Sequence, residues 1–196
     1  AGAVDVKEIQ KELKRSGKDD TDIEKINSSN VLISLKELDK NNSNDPSYIA
    51  AKGMTKKNAL FAQATNRYDI NLIILDNDLD DGTGIYITRF REKLFIELPL
   101  DEYMSHNSKI DTNSNKLGVY RFDPDKMIWQ YVGGKVNTDT NRIAFKTDHL
   151  SIYGAFEYNK TYNDIQDNWA KEYIEVLSAK QIVNGVNEEL FHPNRN

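Results

Sequence analysis

With 196 residues and 22.5 kDa, the chain has room for one large domain, or a medium domain with a small appendage. Apolar residues make up 38% and charged residues 29%, which predicts a modest core and much solvated loop. A net charge of −5 and a pI near 5.3 argue against a nucleic-acid partner; the lack of cysteine excludes thiol catalysis, disulfides and thiolate metal sites; and no apolar run reaches the roughly 20 residues that would predict membrane insertion.

Ala1-Gly2-Ala3 has neither a basic start nor an apolar centre, so no signal peptide is read there. An exported chain would already have lost one, and a domain of this size does not need disulfides outside the cell.

Residues Val4 to Ser16 read as a short N-terminal amphipathic helix, with Val6, Ile9 and Leu13 on one face and Gly17 as a stop. Asn30 to Leu35 is a strand candidate, and Asp39 to Asp45 a loop by composition. Over Tyr48 to Gln63 the alanines favour helix but Gly53 interrupts it, and the element type stays open. Asn71 to Leu75 is a continuous apolar run, suited to a strand buried on both faces.

Asp76 to Gly82 alternates carboxylates before a glycine, as a calcium loop would. Counted from Asp76, however, the sixth position is Asp81 and the twelfth Ile87, where such a loop needs glycine and an acid. It reads as an acidic turn. Strands follow at Ile85 to Thr88, Lys93 to Leu98, Lys116 to Phe122, Ile128 to Val132, Arg142 to Lys146 and Ser151 to Tyr158, with turns at Asp123 to Lys126 and Asn137 to Asn141. The fold class expected is mainly β, an antiparallel β-sandwich, flanked by the N-terminal helix and a helical C-terminal fragment. The expected divisions are residues 1–29, 30–158 and 159–196.

In that fragment, Trp169, Ala170, Tyr173, Ile174 and Leu177 make a helical stripe, with Asp167 or Asn168 as cap and Trp169 as anchor. Its landmarks are Tyr162-Asn163-Asp164-Ile165, Asn168-Trp169-Ala170-Lys171, Ile174-Glu175-Val176-Leu177, Ile182-Val183-Asn184-Gly185 and Phe191-His192-Pro193-Asn194-Arg195. In order and spacing they resemble the S-layer homology (SLH) repeat, which attaches secreted proteins to bacterial cell-wall polysaccharide. The family's next segment, a Thr-Arg-Ala-Glu stretch, is absent, so the resemblance implies the first part of one repeat. It also implies an extracellular location at the cell wall or S-layer, and Trp169 and Gly185 as ligand-binding candidates. The polysaccharide partner would be gripped through the complete SLH region of a longer parent.

Val119 to Pro124, Trp129 to Val136 and Phe145 to Tyr153 resemble a β module found before SLH repeats in bacterial surface proteins, where it is a non-catalytic spacer. Within it, His149-Leu150-Ser151 is similar to the cleavage site of GAIN domains in adhesion receptors. That likeness would make His149 the base, Ser151 the nucleophile and Leu150–Ser151 the bond broken. The plainer alternative is a strand start, with Leu150 and Ile152 packed inward. Tyr120, Trp129 and Tyr131 are either a sugar-stacking platform or core. His106 reads as solvated, and His192 belongs to the tail. No phosphate loop, metal-spaced histidine cluster or matched pair of carboxylates appears, so neither metal nor cofactor is expected. The function expected is a non-catalytic structural spacer beside an SLH anchor. Self-cleavage at Leu150–Ser151 and carbohydrate binding by the sandwich are the alternatives.

Overall fold

The computed structural model describes residues 31–39, 41–75, 84–100 and 115–194, together with Lys7, Gln10, Lys11 and Lys14. The acidic stretch Asp76–Gly82, His106 and most of the Val4–Ser16 helix lie outside the described residues. The chain is mainly β, built from antiparallel sheets, and divides into two compact units.

The smaller unit takes in residues 1–36, 69–94 and 147–151. It holds most of strand β1 (Val31–Leu38), the apolar run of β3 (Arg67–Leu75), and β4 (Gly84–Ile87). Strand β3 is hydrogen-bonded to β1 and, antiparallel, to β4, with Leu72 opposite Ile87. The expectation that β3 is buried on both faces is corrected here. Ile70, Leu72 and Ile74 are buried, whereas Ile73 is half-buried and Leu75 exposed. Alternate residues of a strand share a face, and only one face of β3 is covered.

The larger unit takes in residues 37–68, 95–146 and 152–196. The ambiguous region resolves into helix α1 (Pro46–Met54) followed by strand β2 (Ala59–Gln63). Asp45 caps α1, its carboxylate accepting from the Ser47 amide at 2.8 Å, and Pro46 supplies a fixed φ at the helix start. Strand β10 (Ile152–Lys160) lies between β2 and β6 (Leu117–Asp123), and β6 pairs with β7 (Ile128–Gly133), all antiparallel. The inward side chains are aromatic. Phe61 stacks on Phe156 with centroids 4.2 Å apart and meets Tyr120 edge-on at 5.0 Å, while Trp129 lies 4.8 Å from Phe156. Trp129 is fully buried, and its indole Nε1 donates to the Ser47 carbonyl at 3.0 Å.

A second sheet is formed by β5 (Arg89–Pro99), β9 (Arg142–His149) and β8 (Lys135–Asn137), with β9 in the middle. Strand β8 occupies residues between the expected strand ending at Val132 and the expected turn, meeting that turn at Asn137. The chain passes from the first sheet to the second through Gly133 and Gly134, at φ +122 and +137. A Cβ on Gly134 would lie 2.9 Å from Ile143 Cδ1, so both backbone angle and close approach require glycine. Phe145 of β9 meets Tyr153 of β10 at 5.0 Å, bringing the inner faces of the two sheets together in a sandwich.

One buried group had no sequence signal. Arg67 is fully buried, with its guanidinium 3.1 Å from Asp45 Oδ2 and donating to Ser47 Oγ at 2.7 Å and to the Asp39 carbonyl. It also lies over the Tyr48 ring. The residues holding α1 in place therefore also neutralise a buried charge.

Candidate functional site

The C-terminal segment begins where β10 ends. Tyr162 and Ile165 are fully buried and cluster with Ile174, with Ala170 and Phe191 packed against them. A short 3-10 turn, Asn163–Ile165, presents Asp164 to the end of the segment. Its carboxylate accepts the Phe191 amide at 2.9 Å and the His192 amide at 2.7 Å. These bonds, the Phe191 one first, hold the Asp164 carboxyl below the usual carboxylate range. The Phe-His-Pro landmark is thereby tied back onto the Tyr-Asn-Asp-Ile landmark.

Gly185 sits at the closest approach in the segment. Its amide donates to the Tyr162 hydroxyl at 2.9 Å, and a Cβ there would lie 2.4 Å from both Leu190 O and Tyr162 Cε1. Asn187 Oδ1 accepts the Glu189 and Leu190 amides and shapes the loop that Gly185 enters. In this geometry Gly185 is a packing residue, with no side chain to offer a ligand.

Helix α2 spans Lys171–Ala179, starting later than the capping residues predict, although Asn168 Oδ1 accepts the Ala170 amide at 2.9 Å. The expectation that Trp169 anchors the helix is overturned: it precedes α2 and is 87% exposed. Tyr173, exposed, and Leu177 share its i, i+4, i+8 row. The row that packs is the neighbouring one, Ala170, Ile174 and Ser178, together with Ala179. Small side chains let the helix approach closely: Ser178 Oγ lies 3.3 Å from the Tyr162 hydroxyl, and the Ala179 carbonyl accepts from Tyr120 at 2.7 Å.

The end of α2 carries a docking device. Gln181 takes a left-handed φ of 54, its amide donates to the Ser178 carbonyl and that of Ile182 to the Leu177 carbonyl. This is a Schellman cap with glutamine where glycine is usual. The side-chain amide then reaches β7, donating to the Trp129 carbonyl at 2.8 Å and accepting the Tyr131 amide at 2.8 Å. It thus mimics a neighbouring strand over one repeat. Lys116 and Glu175 pair at 2.7 Å, Lys57 and Glu189 at 3.8 Å, and Lys56 bonds Glu188. Burial alone would raise the Glu175 carboxyl. The hydrogen bonds from Lys116 and Thr161, with the Lys116 and Lys171 charges, outweigh it and leave the group below its usual range.

His149 and Ser151 stand where β9 passes into β10. Thr147 Oγ1 accepts the His149 amide at 3.1 Å and donates to its carbonyl at 2.9 Å. The Leu150 amide donates to the Thr88 carbonyl, and the Ser151 carbonyl accepts from Ile70. Leu150 is buried, as the strand-start alternative expects, and none of residues 147–151 is left-handed. The aromatic platform is not available: Trp129 and Tyr120 are both fully buried, because the face that carries them is the core. Among the described residues no group of three or more His, Asp or Glu side chains could hold a metal ion, and no helix is long and apolar enough to cross a membrane.

The S-layer homology domain model matches residues 161–196, the segment just described. An 80-residue stretch, 41% of the chain, is 49% identical to an amylopullulanase of Thermoanaerobacterium thermosulfurigenes, of which it covers 4%. A stretch of 86 residues, 43% of the chain, is 34% identical to the exoglucanase XynX of Acetivibrio thermocellus and covers 7% of it. Endo-1,4-beta-xylanase A of Thermoanaerobacterium saccharolyticum is 33% identical over 86 residues, covering 43% of the chain and 7% of the relative. The chain thus spans a small fraction of the length of these relatives. No solved structure matches it. The segment from 161 onward is an S-layer homology domain, a type that binds cell-wall polysaccharide, and the chain is an extracellular protein of the cell wall or S-layer.

Proposed function

We propose that helix α1 and strands β2, β6, β7 and β10 of the larger unit form a non-catalytic buttress that holds the S-layer homology segment of a longer surface protein in a fixed orientation. The carrying observation is the docking of α2 and its cap on β6 and β7, through Tyr120 to Ala179 and through Gln181 to Trp129 and Tyr131. A flexible spacer would leave the tail free, whereas here its polar groups are matched to particular backbone positions. The cell-wall polysaccharide is bound by the complete S-layer homology region of the parent, to which this chain contributes the exposed Trp169.

Hydrogen exchange tests the reading. Amides of residues 162–165 and 174–181 should exchange in one cooperative event with those of β6 and β7. Independent, faster exchange of the whole tail would overturn it.

A further inference from the structure

The outer face of the β5–β9–β8 sheet presents chemistry that neither the S-layer homology segment nor the buttress role uses. In β9, Phe145 points into the core, so Ala144 and Lys146 face outward, and their neighbours Phe95 and Glu97 on β5 and Lys135 and Asn137 on β8 are exposed. Ala144 lies opposite Lys135 in register, and its methyl leaves a trough between taller side chains. Along it runs a groove of about 720 Å3 walled by Phe95, Glu97, Lys135, Asn137 and Lys146.

Two features of this groove select its occupant. Phe95 is 63% exposed, an aromatic face in water beside polar neighbours, which is the arrangement that takes the apolar face of a pyranose ring. The charges in the groove wall are unbalanced: Lys135 and Lys146 stand against Glu97, with exposed Arg142 and Asp148 offsetting one another farther along β9, on a chain whose net charge is −5. A local cationic strip on an acidic protein attracts a polyanion over its own background repulsion. The hydrogen-bonding groups Asn137 and Glu97 suit sugar hydroxyls.

We propose that this face binds an acidic cell-wall polysaccharide, with Phe95 stacked on a sugar ring and Lys135 and Lys146 paired with carboxylates along the polymer. A chain held at the wall meets such polymer at high local concentration, so a weak second contact adds to tethering without new affinity at the first. The inference rests on the wall location of the chain and not on the buttress reading.

The test uses the whole chain, with purified bacterial wall sacculi and with polygalacturonate as a soluble acidic probe. Retention on both is expected, weakening as salt rises. Phe95→Ala should weaken binding to polygalacturonate about threefold to tenfold, the range for one aromatic stacking contact. Lys135→Gln with Lys146→Gln should remove the salt dependence. All three positions are exposed, so the variants should unfold at the wild-type urea midpoint. Trp169→Ala should leave polygalacturonate binding unchanged, which separates this face from the S-layer homology segment. Wild-type binding by the Phe95 and lysine variants would overturn the proposal. So would retention on neutral xylan or starch but not on sacculi, or loss of polygalacturonate binding in Trp169→Ala alone.

Discussion

The Tyr120 hydroxyl donates to the backbone carbonyl of Ala179 at 2.7 Å, joining the middle of β6 to the last turn of α2. Both partners are fully buried, so neither has water as an alternative. Tyr120→Phe keeps the ring packing and orphans the carbonyl. It should lower stability by about 1–2 kcal/mol, read as a lower urea midpoint with an unchanged slope.

Gln181 combines a strained backbone with two useful hydrogen bonds. Gln181→Ala keeps the left-handed strain and loses both bonds, whereas Gln181→Gly loses the bonds and relieves the strain. Both variants should be destabilised, the alanine one by about 1 kcal/mol more than the glycine one. Equal midpoints in chemical denaturation would contradict this account of the cap.

Gly185→Ala forces a methyl against Leu190 O, Tyr162 Cε1 and Asn187 O, two of which are backbone atoms. The cost should be about 2–3 kcal/mol, within the usual range for overpacking. Limited proteolysis should show it as faster cleavage between Val183 and Asn194.

Stability should fall at both ends of the pH scale. Glu175 and Asp164 have lowered pKa values, so their contribution is complete above the ordinary carboxylate range and is lost as pH falls through the lowered values. Glu175→Gln should therefore be less stable than wild type at pH 7, with the gap closing in acid. Tyr158 is pushed up, first by burial, from 10.0 to about 12. The folded state then holds a proton that the unfolded state releases, so stability is complete below pH 10 and declines towards pH 12. Thermal midpoints across both ranges check the two directions.

The non-catalytic reading predicts one species of 22.5 kDa after prolonged incubation at neutral pH. Intact-mass measurement would reveal any scission, since a break at Leu150–Ser151 leaves one piece ending in Leu150 and another starting at Ser151. Ser151→Ala should likewise give a single species, lighter than the wild-type chain only by the lost side-chain oxygen.

The β strands after Asn71 were legible because turn residues punctuate them, and the tail because its landmark residues recur at fixed spacing. What escaped reading was partner choice. Trp169 and Ala170 each head an i, i+4 row, and hydrophobicity favours the tryptophan row, yet close approach to Tyr162 and β6 selects the row with Ala170 and Ser178. Tyr120, Trp129 and Tyr131 could be recognised as a set, but which side of the sheet is covered depends on α1 and the tail. Arg67 and Gln181 gave no signal, since long polar side chains normally belong to the surface and their burial depends on partners far away in sequence. The three residues of β8 were too few to show a period.

The contrast between the two tryptophans equips the protein with a pair of native optical reporters. Trp129 is sealed among aromatic rings and should emit towards the blue, shielded from iodide, whereas Trp169 should emit at long wavelength and be quenched freely. A polymer settling over the tail would dim or blue-shift the second lamp alone, while the first would change only when the β layers come apart.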